Sequence, residues 1–227
     1  MESVESFTDG YQDLYRLQDQ VMDIVFGVES EFYLTGGTCL SRFYQAKRYS
    51  DDLDFFTNTS PRFSFAIRAI KAALRDSFQL SSSVESRNFV RLVVDERLQV
   101  DFVNDSAPRS DDPVLTSQGY YIDTIENILS NKLTAVIGRD NPKDIFDIVL
   151  MYTCYQIDWS QILQAAHTKA YFSTDDLIIR LTSFPKQLLN TIQCIDCTFL
   201  EPFEDKIDKI VQEILRSDDI DAPDARG

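Results

Sequence analysis

The sequence predicts an α+β fold in which an α/β half precedes an α-helical half. Three observations predict it. As far as Val103, short apolar runs ended by turn residues alternate with stretches of helical period. A segment rich in Ser, Asp and Pro, Ser106 to Pro113, then interrupts the chain. Beyond it nearly every apolar pattern has the helical period. The expected division is an α/β domain over 1–112 and a helical domain over 113–227.

Each element has its own signal. Leu14, Leu17, Val21, Ile24 and Val25 form an apolar stripe, predicting a helix from Tyr11 to Val28. Phe32-Tyr33-Leu34 reads as a buried strand running into the Gly36-Gly37 turn. A helix follows over Thr38 to Ala46, then a short strand over Leu53 to Thr57 and a helix over Phe65 to Phe78. Asn88 to Val94 and Arg97 to Val103 read as an antiparallel hairpin about Asp95-Glu96, a turn without the favoured glycine. Helices are then expected over Thr124 to Gly138, Pro142 to Tyr155, Ser160 to Ala170, Thr174 to Phe184 and Glu201 to Arg216. Pro142 suits a first helical turn. Asp218 to Gly227 reads as a frayed acidic tail.

Composition narrows the function. The chain has 227 residues, 44% hydrophobic and 26% charged, which excludes a disordered or collagen-like polymer. Its 22 basic and 37 acidic residues give a net charge of −15, which argues against non-specific binding to DNA or other nucleic acid. Residues 36 to 109 are the exception, with 11 basic and 9 acidic side chains, so a polyanion site is expected there. No apolar run is long enough to span a membrane, and Met1 to Thr8 lacks the order of a signal peptide. With four scattered cysteines, the chain reads as cytoplasmic, with no membrane partner.

The segment Leu34 to Phe56 carries the chemistry. Gly36 and Gly37 let the backbone approach a ligand, and the helix starting near Thr38 offers free N–H groups to phosphate. Taken alone, such a turn is more often plain punctuation. In Asp52-Leu53-Asp54 the two carboxylates share one face of a strand while Leu53 faces the core. Their mutual repulsion is relieved by a divalent cation, and oxygen ligands suit Mg²⁺. Taken alone, this pair is more often an exposed acidic strand end. Asp101, an acid among apolar neighbours on a later strand, is either a third carboxylate for a metal site or a solvent-side residue.

The order strand, Gly-Gly, helix, Asp-x-Asp, helix, lone Asp resembles the polymerase β-like nucleotidyltransferase fold. Gly36-Gly37-Thr38, Leu40 and Arg48-x-Ser50-x-Asp52-Leu53-Asp54-Phe55 resemble the AbiEii/AbiGii toxin family of nucleotidyltransferases, named for abortive phage infection. Lys132-Leu133-Thr134-Ala135, Arg139, Lys143-Asp144 and Asp147 resemble that family's second block. The resemblance covers Leu34 to Asp147. Two departures stand out: Gly36-Gly37 where many relatives have Gly-Ser, and Lys143-Asp144 where many have Arg-Asp.

The resemblance implies a small mixed sheet with helices, followed by a helical domain closing the active-site cleft. It implies transfer of a nucleoside monophosphate from a nucleoside triphosphate (NTP) to a hydroxyl, with release of pyrophosphate. Asp52, Asp54 and Asp101 are its implied metal ligands for Mg²⁺, and with Lys132 and Asp144 its implied catalytic set. Gly36, Gly37, Thr38, Ser41, Arg48, Ser50 and Arg139 are its implied nucleotide contacts. Lys132 and Arg139, seven apart on one helix, share a face and would form a basic wall. Arg48 is expected either to pair with one of the strand aspartates, to meet phosphate, or to lie exposed; Ser50 reads as a turn former. Either Asp144 or Asp147 fills the family's late acidic position; Asp144 is favoured for the site role and Asp147 for a structural one. The implied setting is the toxin of a toxin–antitoxin or phage-defence pair, with a tRNA acceptor and a cognate antitoxin. The alternatives are the same chemistry on a protein or small-molecule hydroxyl, and a catalytically silent nucleotide-binding module.

Other signals carry little. His167 is the only histidine and has no nucleophile motif beside it. Cys194-x-x-Cys197 lacks a second ligand pair for zinc and a thioredoxin-like context. Asn58-Thr59-Ser60 matches a glycosylation acceptor that a cytoplasmic chain would not use, and no Walker-type loop is present.

Overall fold

The computed structural model describes residues 4–221, with side chains described over 10–217. The expected tail lies outside the described residues from 222 on, while 218–221 continue the last helix. The chain divides into two compact units. The first runs through Tyr44, then takes Tyr49–Ser106 and Asp112–Asp123. The second takes Gln45–Arg48, Ala107–Asp111 and the chain from Thr124 onward.

The first unit is built on a seven-stranded mixed sheet. Its elements are α1 (Val4–Val28), β1 (Tyr33–Thr35), α2 (Gly36–Cys39, continued by a π-helical turn over Leu40–Tyr44), β2 (Asp52–Asn58) and α3 (Phe63–Arg75). Next come β3 (Leu80–Glu85), β4 (Phe89–Val94), β5 (Leu98–Asp105), β6 (Val114–Leu115) and β7 (Tyr121–Ile122). The strand order is β3-β4-β5-β2-β1-β7-β6. β2 runs parallel to β5 and antiparallel to β1. Along β2 burial alternates, so Leu53, Phe55 and Thr57 are buried while Asp52 and Asp54 are half-buried on the other face. Phe55 stacks on Phe102 at 5.3 Å and meets Phe26 of α1 edge-on, so this apolar face is the core.

Three strands were not foreseen. β3 carries Ser81, Ser82 and Ser83 and is almost wholly exposed at one sheet edge, so it has no apolar signature to read. β6 and β7 are only two residues each and follow the Ser106 to Pro113 segment, where helices were expected to begin. The hairpin register also differs from the expected one. Asp95 and Glu96 both adopt positive φ, and the loop takes in Arg97, so Val94 pairs with Leu98. That one-residue difference places Arg91 opposite Asp101 rather than Val100.

The second unit holds α4 (Ile125–Gly138), α5 (Pro142–Cys154), α6 (Trp159–Lys169), α7 (Thr174–Thr182) and α8 (Phe203–Asp221), with two 3₁₀ turns before α8. Their starts follow capping chemistry. The side chains of Thr124, Asn141, Asp158 and Ser173 each accept a backbone N–H of the first turn, and Pro142 opens α5. Phe146, Ile148, Val149, Leu129, Leu133 and Ile210 are fully or almost fully buried. Cys194 and Cys197, for which no role was expected, are joined by a disulfide, their Cα atoms 5.9 Å apart. The loop they close is bound to residues 47–48: Ile195 and Asp196 N–H groups donate to the Lys47 carbonyl, and Arg48 bridges Cys194. No helix among the described residues is long and apolar enough to cross a membrane.

Candidate active site

The expected site residues fall into two clusters, one in each unit. In the first, the sheet register aligns the side chains. Thr35 pairs with Asp54, Asp54 with Asp101, and Asp101 with Arg91, in a row across β1, β2, β5 and β4. Asp52 pairs with Gln99 on the same face. Directly paired residues project to one side, so Asp52, Asp54 and Asp101 do share a face, as the alternation predicts.

The Gly-Gly turn has a specific reason in this geometry. Gly36 adopts φ +71°, and a Cβ there would lie 2.8 Å from Asp54 Oδ2. Only glycine lets the chain pass this close to the carboxylate. α2 begins at Gly36, and Thr35 makes no side-chain cap on its first turn. Its leading N–H groups and positive helix end therefore stand next to Asp54.

Thr38 and Ser50 hold the turn against the strand. Both are buried; the Thr38 hydroxyl bonds Ser50 Oγ at 2.8 Å and also the Asp52 carbonyl. Thr38 was expected to touch nucleotide; its hydroxyl is engaged by the protein because β2 passes directly beneath α2. Ser41 is likewise buried. α1 fixes the approach to β2. Gln18 donates to the Ser50 carbonyl at 3.0 Å, Tyr15 accepts the Ser50 N–H, and the Tyr11 hydroxyl donates to Asp51 at 2.6 Å. Burial, then Asp51, push the Tyr11 phenol well above its ordinary pKa.

Arg91 was missed. Its Nε and a terminal nitrogen donate to the two oxygens of Asp101 at 2.7 and 2.6 Å, a forked charge-assisted pair. Gln99 adds a bond to Asp101 Oδ2 at 3.3 Å. The Asp101 bonds, with the nearby charges of Asp54 and Asp52, raise the Arg91 pKa although partial burial opposes this. The sequence held a usable signal, since Arg91 lies in the strand expected to pair with that of Asp101. A turn of two residues would have set it opposite Val100.

The second cluster corrects several expectations. Arg48 is neither exposed nor paired with the strand aspartates. It is buried and forks onto Asp147, both bonds 2.8 Å. The reason is that residues 45–48 fold with the helical unit. Lys132 is buried between Asp144, at 2.8 Å, and Asp147, at 2.9 Å. Arg139 adds 2.7 and 3.1 Å bonds to Asp144. Lys132 and Arg139 thus share a face, but Asp144 sits between them, so they form an ion network rather than a bare basic wall. Asp144 and Asp147, assigned different roles from sequence, are equally buried members of it. Burial works against both carboxylates, but Lys132 and Arg139 hold Asp144 below the usual range, and Arg48 and Lys132 do so for Asp147. Lys132 is raised by Asp147 and Asp144 against its own burial. Asp123 is a further fully buried acid with no motif; it accepts the Thr35 hydroxyl and holds β7 to β1.

The mixed sheet, the Gly-Gly helix start and the aspartate row are the arrangement that the resemblance to nucleotidyltransferases implied. Residues 24–222 match the family model described as nucleotidyl transferase AbiEii toxin of type IV toxin–antitoxin systems, and the chain belongs to this family. It is a nucleotidyltransferase, as the resemblance implied. It is 26% identical over 166 residues to the protein aq_aa25 of Aquifex aeolicus strain VF5, covering 69% of this chain and 74% of that one. Several solved structures share the fold, and two illustrate the likeness. JHP933 from Helicobacter pylori has a TM-score of 0.57 at 20% identity, over 93% of this chain and 96% of that one. The nucleotidyltransferase toxin MenT4 from Mycobacterium tuberculosis has 0.60 at 13% identity, over 93% and 85%.

Proposed function

We propose that this nucleotidyltransferase is Mg²⁺-dependent and transfers a nucleoside monophosphate from an NTP to a tRNA hydroxyl, as the toxin of a toxin–antitoxin pair serving phage defence. The observation that carries the reading is the Asp52–Asp54 pair beside the Gly36 helix start. Two adjacent carboxylates are a fitting donor set for Mg²⁺, which needs one or two of them with phosphate oxygens completing its shell. A bound ion would supply positive charge against the reacting phosphoryl group.

The chain's own residues do the rest. Asp52 and Asp54 orient the triphosphate through the site they form. The leading N–H groups of α2 are the proposed contacts for phosphate oxygens that the carboxylates alone would repel. The acceptor oxygen then bonds to the α-phosphorus as its hydroxyl proton passes to solvent, the bond from the α-phosphorus to the bridging oxygen of the β-phosphate breaks, and pyrophosphate leaves. The net charge of −15 favours an acceptor presented by one end over one bound along its length.

The test uses purified protein, Mg²⁺, each NTP labelled at its α-phosphorus, total cellular RNA and lysate protein. Label is expected on tRNA and absent with Asp52→Ala/Asp54→Ala. Label on a protein band would move the acceptor to a protein hydroxyl. No label from a folded chain, even with small-molecule hydroxyls added, would indicate a silent binding module.

A further inference from the structure

Asp101 is held by a cation of the neighbouring strand β4. Its side chain is 9% exposed and both of its oxygens accept from Arg91. Gln99 makes a third bond, so the lone pairs a metal would use are largely occupied. Arg91 is itself fixed from behind, its guanidinium 5.5 Å from the Phe89 ring. Asp54 instead faces the Gly36 backbone, one strand away from the clamp. Among the described residues no group of three or more His, Cys, Asp or Glu side chains is arranged to hold one ion.

We infer that this site takes a single divalent cation, at Asp52 and Asp54, and that Arg91 fills the place of a second by clamping Asp101. This rests on the reading of Asp52 and Asp54 as metal ligands. Arg91 is then a positioning residue: it makes Asp101 a neutral pair that flanks Asp54 and does not ligate. A plain surface ion pair would leave metal stoichiometry unchanged when broken, so stoichiometry is the discriminating readout.

The experiment counts bound Mn²⁺ by electron paramagnetic resonance on the full chain, with Mn²⁺ alone as the probe. Wild type is expected to bind one Mn²⁺ per chain. Arg91→Gln frees Asp101 and gains a second, weaker Mn²⁺, about tenfold or more below the first. Arg91→Lys keeps one. The double variant Arg91→Gln/Asp101→Asn preserves the site's net charge and keeps one Mn²⁺ at an affinity within about threefold of wild type. It also covers the case in which the single variant fails to fold. Two Mn²⁺ in wild type, one of them lost in Asp101→Asn, would overturn the inference and leave the site reading standing. So would a folded Arg91→Gln that still binds one. A wild type whose Mn²⁺ binding is absent, or unaffected by Asp54→Asn, would remove the metal site itself and the inference with it.

Discussion

Two groups of aspartates in this protein carry the same chemical group and have opposite surroundings. Asp144 and Asp147 are buried among three cations, Arg48, Lys132 and Arg139, so the chain more than neutralises them. Asp52, Asp54 and Asp101 are aligned on one sheet face, with Arg91 paired to Asp101. The first arrangement satisfies its charges internally and ties the loop at 45–48 and helix α4 to α5. The second lies beside a helix start and carries the two carboxylates proposed above as metal ligands. Charge balance and exposure, not residue type, separate an aspartate that holds a fold together from one that can bind a ligand.

The largest break in this comparison is expected from Asp54→Asn. Nucleotidyl transfer should fall about a thousandfold, the scale for losing charge stabilisation at a reacting phosphoryl group. Thermal unfolding should stay near that of wild type, because a repelling pair loses one charge. A matching loss of stability would place Asp54 with the structural group.

The mirror experiment is Arg48→Met. It leaves Asp147 short of a buried partner and should lower stability by about 3–5 kcal/mol, read from the urea midpoint. The same network predicts a pH dependence. Asp144 and Asp147 titrate below their unfolded range, so their contribution is present above about pH 4 and is lost as pH falls through their lowered values. Urea midpoints should therefore drop on acidification from pH 5 toward about pH 3, and Asp147→Asn should flatten that drop. An acid profile identical in both proteins would contradict it.

Gly36→Ala should have a smaller effect on stability, about 1–2 kcal/mol for the left-handed backbone alone. Its added Cβ must also displace Asp54, so transfer should fall by more than the stability loss explains. A kinetic assay on the folded fraction separates the two. The smallest effect is expected from Arg139→Ala. Its side chain is 57% exposed, so stability should change by less than about 1 kcal/mol, well below Arg48→Met at the other end of the same network. Equal losses from the two would mean that exposure does not grade these ion pairs.

Much of this was legible in the sequence because it is set locally. The apolar stripes of α1, α3 and the later helices, the caps at Thr124, Asn141 and Ser173, and the alternation about Leu53 need only neighbouring residues. The shared face of Asp52 and Asp54 follows from strand geometry alone. Strand β3 was not legible, because an exposed edge of serines carries no burial pattern.

The sequence by itself determined the alternation of sheet and helix, the Gly-Gly-to-Asp-x-Asp motif and the family. Tertiary structure decided the partners. Arg91 reaches Asp101 only because two residues with positive φ set the hairpin register, a one-residue choice that local pattern does not encode. Arg48 reaches Asp147 across ninety-nine positions, and Gly36 matters because a distant carboxylate fills the space a side chain would need. Local geometry fixes which way a side chain faces; only the folded chain fixes which charge it meets there, and that decides whether an aspartate supports the fold or binds a ligand.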